Sequence, residues 1–140
     1  SGFKELIDYS KNKNIKIIIL SSGIKSYIEP VINNYQNNLT LIAADMEKAT
    51  DSKVSFSYND SYNIHCSNDW GICKCKTVES LKNKNFIIYI GDGITTDFCA
   101  SQKCDVIFAL DPLYNKCLKE KINAKKFEGF NNLLKYIKKL

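Results

Sequence analysis

The sequence contains no arginine, so all 20 of its positively charged side chains are lysines. Arginine makes paired hydrogen bonds to bases and phosphates, whereas lysine offers a single point charge. The formal net charge of +5 therefore says little about a partner. We expect no nucleic-acid partner.

Long apolar runs are missing as well. No stretch approaches the roughly 18 to 20 apolar residues that a membrane helix needs, and residues 1–4 lack the apolar segment of a signal peptide. We expect a soluble, cytoplasmic protein without a membrane partner. Six cysteines among 140 residues are too sparse for a disulfide scaffold, so we expect reduced thiols.

Apolar strands alternate with amphipathic helices along the chain. This alternation predicts a Rossmann-like, three-layer α/β/α doubly wound parallel sheet, with a small β-hairpin excursion at 54–58. We expect one domain over residues 1–140. Strands are predicted at 15–20, 39–44, 86–90 and 106–109, and helices at 3–10, 24–32, 72–81, 94–102, 113–121 and 130–140.

Ser21, Ser22 and Gly23 directly follow the first predicted strand. In open α/β sheets, reactive groups gather at the carboxyl ends of the strands. A hydroxyl and closely spaced backbone N–H groups at a helix start can hold a phosphoryl oxygen. Taken alone, Ser-Ser-Gly is more often an ordinary helix cap.

A second polar segment, Gly91-Asp92-Gly93-Ile94-Thr95-Thr96-Asp97, follows the strand at 86–90. Its two glycines free the backbone, and Asp92 and Asp97 offer the hard oxygen ligands that a divalent cation prefers. The simpler reading is a turn followed by an N-cap aspartate. A third candidate is Lys74, at the start of a helix, whose charge can neutralise phosphate. Lys76 lies near the same helix start and competes for that role.

The motifs together resemble a family. Ile-Leu-Ser-Ser-Gly, then Cys73-Lys74, then Tyr-Ile-Gly-Asp-Gly with a second Asp, occur in the order found in phosphatases of the haloacid dehalogenase superfamily. The segment 104–109 and the residues after it look like the tail of its phosphoserine phosphatase-like subgroup. Within that subgroup the chain resembles most the 2-hydroxy-3-keto-5-methylthiopentenyl-1-phosphate phosphatases and the phosphoethanolamine/phosphocholine phosphatases.

The resemblance implies a role for each motif. Ser21 becomes the hydrogen-bond donor to the transferring phosphoryl group, with Ser22 and Gly23 beside it, and Lys74 becomes the neighbouring cation. Asp92 and Asp97 become the pair that holds Mg²⁺. Many relatives place the second Asp where this chain has Thr96, so Asp97 follows the longer of the family's two spacings. The implied substrate is a small phosphomonoester.

One motif of the family is missing. No Asp-x-Asp-x-Thr, the family's nucleophile and general acid/base pair, occurs in the sequence. We therefore expect an amino-terminally truncated enzyme core that is inactive alone. In the family the nucleophile strand lies between those resembling 15–20 and 86–90, so its loss would expose two apolar edges. We expect these edges to pair with each other, with a complementing amino-terminal segment or with a second copy of the chain.

Three alternatives stay open. His65, Cys66, Cys73 and Cys75 offer zinc ligands, although their spacing is not that of a usual zinc finger. The phosphorylation domain of cation-pumping ATPases also has a Gly-Asp-Gly loop with a later Asp, but lacks the Cys-Lys context. Finally, without its nucleophile the chain could be a non-catalytic module that binds a partner or an anion.

Overall fold

The computed structural model describes residues 2–50, 53–57 and 72–140, without the side chains of residues 48–50. The described residues form two compact units. The first comprises residues 2–57 together with 129–140, and the second comprises residues 72–128. The expectation of one domain over residues 1–140 stays a prediction.

Helices and strands alternate through both units, as the sequence pattern predicts. In chain order they are α1 (Phe3–Asn12), β1 (Ile17–Ile24), α2 (Lys25–Ile32), a 3-10 helix (Asn33–Asn38), β2 (Leu39–Thr50), β3 (Lys53–Ser57), α3 (Lys74–Lys82), β4 (Ile88–Gly91), α4 (Phe98–Ser101), β5 (Val106–Ala109), α5 (Leu113–Lys119), β6 (Lys125–Lys126) and α6 (Phe130–Ile137).

The first unit has a three-stranded sheet in the order β1-β2-β3. β1 and β2 are parallel, and β2 and β3 form the antiparallel hairpin predicted from the alternation of residues 54–58. Leu20 pairs with Ile42 and Ile24 pairs with Ala44, so three residues of β1 face one of β2. This bulge lifts Ser21, Ser22 and Gly23 out of the regular ladder.

Helices α1 and α6 supply much of the core of the first unit. Leu6 and Ile7 of α1 are buried, as are Leu133 and Leu134 of α6. The ring of Phe3 lies 4.9 Å from the ring of Phe130, between centroids. Apolar residues three and four apart lie on one face of a helix, which is why the sequence pattern predicts both helices.

The second unit has a parallel sheet in the order β4-β5-β6. Its core is a cluster of buried residues on β5 and α5, namely Ile107, Ala109, Leu113 and Cys117. Because the sheet is parallel, β4 and β5 end at the same edge, and the loops that follow them lie side by side. The N–H of Leu110 donates to the carbonyl of Gly91 over 2.9 Å, which joins the two loops.

The predicted fold class is confirmed as a mixed α/β fold with parallel strands, consistent with a Rossmann-like architecture. The helix predicted to run from residue 94 to about Gln102 is wrong in length, since α4 covers only Phe98–Ser101. Residues 59–70, to which the sequence pattern assigns neither a helix nor a strand, lie outside the described residues. β1 and β4 each occupy an edge of their sheet.

Among the described residues, no helix is both long enough and apolar enough to cross a membrane.

Candidate functional site

The loop after β4 folds back on itself around the carboxylate of Asp97. Oδ2 of Asp97 accepts hydrogen bonds from the backbone N–H of Gly93, over 2.8 Å, and of Asp92, over 3.1 Å. The N–H of Asp97 in turn donates to the carbonyl of Gly93. The predicted helix starts late because residues 94–97 form the turn that returns Asp97 to the start of its own loop.

Gly91 is required by this close approach. A Cβ at Gly91 would lie 2.9 Å from Cβ, Cγ and Oδ2 of Asp97, closer than real side-chain atoms come. At Gly93 a Cβ would lie 3.2 Å from the same oxygen. The Gly-Asp-Gly pattern thus reflects the space that the Asp97 carboxylate occupies.

The other oxygen of Asp97 accepts from two side chains. Nζ of Lys74, at the start of α3, lies 2.6 Å from Oδ1, and the hydroxyl of Tyr89, on β4, donates to Oδ1 over 2.7 Å. Asp97 has only 2% of its surface exposed, and Tyr89 is also buried. The ion pair between Lys74 and Asp97 is therefore shielded from water. Charge interactions are stronger in such a buried environment than at a surface.

The surroundings of Asp97 favour its ionised form. Burial by itself would raise the pKa of this carboxyl, but the hydrogen bond from Lys74, the N–H of Gly93 and the charge of Lys74 outweigh it, so the pKa is lowered. The pKa of Tyr89 is raised far above its ordinary value, first by burial and then by the charge of Asp97. Tyr89 therefore stays protonated and acts as a donor.

Asp92 differs from Asp97 in being exposed. Its backbone is fixed at both ends, since its N–H donates to Asp97 and its carbonyl accepts from the N–H of Leu113 over 3.0 Å. Among the described residues its carboxylate makes no hydrogen bond or ion pair. The loop thus presents a carboxylate on a rigid backbone, next to a buried ion pair.

Oxygen donors of this kind fit Mg²⁺, which keeps several waters and uses one or two protein carboxylates together with substrate phosphate. Asp92 is free to act as such a ligand. The four acceptor positions of the Asp97 carboxylate are already taken by two side-chain and two backbone donors. Direct coordination by Asp97 stays a prediction, and it requires Asp97 to lose one of these donors.

The two lysines that compete for the cationic role have different environments. Lys74 contacts Asp97, with 12% of its side chain exposed, whereas Lys76 lies on the exposed face of α3. The structure thus brings together Lys74, Asp92 and Asp97 from two segments of the second unit. Lys74 contacts this loop through Asp97.

Ser21, Ser22 and Gly23 lie in the first unit, in the bulge of β1. The N–H of Gly23 donates to Oγ of Ser21 over 3.0 Å, so the Ser21 hydroxyl keeps its own proton for an outside acceptor. Oγ of Ser22 is buried and has no hydrogen-bond partner among the described residues. The bulge therefore supplies one hydroxyl donor, as its predicted role requires, and the role itself stays a prediction.

The zinc alternative is only partly within the described residues. Cys73 and Cys75 are buried at the start of α3, and neither forms a disulfide with another described residue. His65 and Cys66 lie outside the described residues. In the part of the chain that the structure describes, no group of three or more His, Cys, Asp or Glu side chains could hold a metal ion.

Tyr89 is the site residue that the sequence pattern did not reveal. It sits within the apolar segment 86–90, which the sequence pattern predicts only as a strand. The available signal was its polar hydroxyl inside a buried strand, because a buried tyrosine hydroxyl usually finds a partner.

Comparison with curated proteins agrees with the resemblance described above. The chain is 28% identical over 141 residues to the 2-hydroxy-3-keto-5-methylthiopentenyl-1-phosphate phosphatase of Bacillus cereus, in an alignment that covers the whole of this chain. It is 27% identical over 144 residues to the protein of the same name from Lysinibacillus sphaericus, and 29% identical over 133 residues to that from Bacillus pumilus. These homologues are phosphatases by name.

The chain spans only part of these relatives. The alignments cover 64% of the Bacillus cereus protein, 62% of the Lysinibacillus sphaericus protein and 57% of the Bacillus pumilus protein. No protein-family model matches the chain.

Proposed function

We propose that this chain carries the phosphate-binding and magnesium-binding part of a phosphatase of the haloacid dehalogenase type, which hydrolyses a small phosphomonoester. The observation that carries the proposal is the Asp97 carboxylate, which joins Lys74 to the backbone of the Gly-Asp-Gly loop. The names of the homologues support the same chemistry. Their substrate, 2-hydroxy-3-keto-5-methylthiopentenyl-1-phosphate, is one candidate within the class.

Lys74 supplies positive charge for a phosphoryl group in this proposal. Asp97 fixes the position of the lysine, and burial strengthens the attraction between Lys74 and an anion that reaches it. Ser21, in the first unit, has a hydroxyl proton that it can donate to a phosphoryl oxygen. Asp92 would hold Mg²⁺ by its exposed carboxylate, and the bound cation would neutralise phosphoryl charge.

The attacking group must come from outside this chain. Hydrolysis in the family begins when a carboxylate oxygen bonds to phosphorus and the phosphate ester oxygen leaves with a proton from a second Asp. The sequence has no Asp-x-Asp-x-Thr motif to supply either group. We therefore propose that the chain is inactive by itself and needs a segment that carries this motif.

The test is complementation. The chain is mixed, or coexpressed, with a segment of a homologous phosphatase that contains Asp-x-Asp-x-Thr, and Mg²⁺-dependent release of phosphate is measured with 2-hydroxy-3-keto-5-methylthiopentenyl-1-phosphate and with other phosphomonoesters. We expect activity from the pair and none from the chain alone. Asp92→Asn serves as the control and should abolish it.

A second function is favoured by one sequence observation, the missing nucleophile motif. In that case the chain is a non-catalytic module that binds an anion or a partner through the same residues. Binding between the two pieces without any phosphate release would support this function and contradict the first. Turnover by the chain alone would contradict both, because neither supplies a nucleophile.

A further inference from the structure

The positive charge that Lys74 can offer an anion depends on its ion pair with Asp97. A lysine whose charge is fully cancelled by one carboxylate attracts an anion weakly, because the pair is neutral as a whole. The cancellation is incomplete where other donors also bind the Asp97 carboxylate. Three neutral donors do so, namely the hydroxyl of Tyr89 and the N–H groups of Asp92 and Gly93.

Tyr89 is distinct among these donors, because it binds the oxygen that Lys74 also binds. The two backbone N–H groups donate to Oδ2, whereas Tyr89 and Lys74 both donate to Oδ1, over 2.7 and 2.6 Å. Two donors on one oxygen compete for its electron density, and each fixes the direction from which the other approaches. Removing either donor changes the position and the strength of the other bond.

The position of Tyr89 is rigid. The residue lies on β4, which pairs with β5 at Tyr89 and Ile107, and it is buried. A side chain held by a strand and by packing places its hydroxyl with little freedom, unlike the long chain of a lysine. Tyr89 thus fixes the position of the Asp97 carboxylate, and through it the position of the Lys74 ammonium group.

We propose that Tyr89 is a positioning residue of the phosphate site, whose hydroxyl holds Oδ1 of Asp97 so that Lys74 is fixed in place and keeps positive charge for a phosphoryl group. This inference rests on the proposed function for its phosphate readout. It assigns a task to a residue that touches neither substrate nor metal in the proposed mechanism. Tyr89 acts only through Asp97 and Lys74.

The test uses Tyr89→Phe, which removes the hydroxyl and keeps the ring. Tyr114→Phe is the matched control, because Tyr114 belongs to the same unit and its ring lies beside Lys126 rather than beside Asp97. Affinity for inorganic phosphate is measured in the presence of Mg²⁺ by titration calorimetry, in the wild-type and Lys74→Met backgrounds. Thermal melting verifies that each variant is folded.

We expect Tyr89→Phe to weaken phosphate binding about fivefold, the equivalent of one hydrogen bond, and Tyr114→Phe to leave it unchanged. In the Lys74→Met background, Tyr89→Phe should cause no further loss. An unchanged affinity after Tyr89→Phe, or an equal loss in both backgrounds, would overturn the inference, since a merely structural tyrosine would not depend on Lys74.

A second readout separates failure of this inference from failure of the proposed function. The ¹H–¹⁵N signal of the Lys74 ammonium group reports its hydrogen bond without any ligand. We expect Tyr89→Phe, and not Tyr114→Phe, to shift this signal and to speed its proton exchange. If the wild-type chain binds no phosphate but the signal responds, the proposed function fails and the positioning role stands. An unchanged signal overturns the positioning role.

Discussion

Nζ of Lys74 and Oδ1 of Asp97 lie 2.6 Å apart although 23 positions separate the two residues in sequence. The contact joins the start of α3 to the end of the loop after β4. It brings together two motifs that the sequence shows only as separate patterns. It also accounts for the turn that returns Asp97 to the start of its loop. Its removal should therefore affect both stability and ligand binding.

Lys74→Met should destabilise the second unit by about 3 kcal/mol, since it leaves a buried carboxylate without its counter-ion. Three remaining donors to Asp97 keep the loss from being larger. Urea unfolding at neutral pH measures this loss of stability. Lys76→Met is the control and should cost less than about 1 kcal/mol because Lys76 is exposed. Equal losses in the two variants would contradict the importance of the ion pair.

The lowered pKa of Asp97 predicts a pH dependence of stability. A carboxyl whose pKa is lower in the folded state than in the unfolded state stabilises the fold above the ordinary value of 3.8. This contribution is lost as the pH falls from that value through the lowered one. The difference in free energy of unfolding between wild type and Asp97→Asn should therefore stay constant near neutral pH and shrink as the pH falls below 3.8. A difference that does not shrink there would show that Asp97 is not stabilised as an anion.

Gly91→Ala tests the space around Asp97. The added methyl group would lie 2.9 Å from three atoms of Asp97, so the loop must shift. We expect a loss of about 1 to 3 kcal/mol in stability, the usual cost of overpacking. Gly23→Ala is the contrast, because its nearest neighbour is a serine hydroxyl oxygen at 3.2 Å, and it should cost less. Comparable melting temperatures for Gly91→Ala and wild type would contradict this account.

Much of the fold could be predicted from the sequence, because helices and buried strands differ in the period of their apolar residues. The segment Val106–Ala109 was predicted with its observed bounds. β6 was missed because Lys125 and Lys126 carry no apolar pattern, and only pairing with Phe108 and Ala109 defines them as a strand. The 3-10 helix at Asn33–Asn38 was missed for the same reason.

The site was harder to predict than the fold. The motifs identified Lys74, Asp92 and Asp97 as residue types suited to phosphate and cation binding. The sequence could not show that Asp97 is enclosed by four donors while Asp92 is exposed, because that difference depends on how the loop turns. The polar hydroxyl of Tyr89 set it apart from the isoleucines beside it, but the sequence could not show that its partner is Asp97, eight residues away.

The account is tested most directly by titrating Mg²⁺, with inorganic phosphate present, into the wild-type chain and into Asp92→Asn by calorimetry. Glu5→Gln is the control for loss of one negative charge, since Glu5 is exposed on α1 of the other unit. We predict that wild type and Glu5→Gln bind Mg²⁺ alike, and that Asp92→Asn loses binding while keeping the wild-type melting temperature. Equal Mg²⁺ affinity in Asp92→Asn and wild type would contradict the assignment of this loop as the magnesium site.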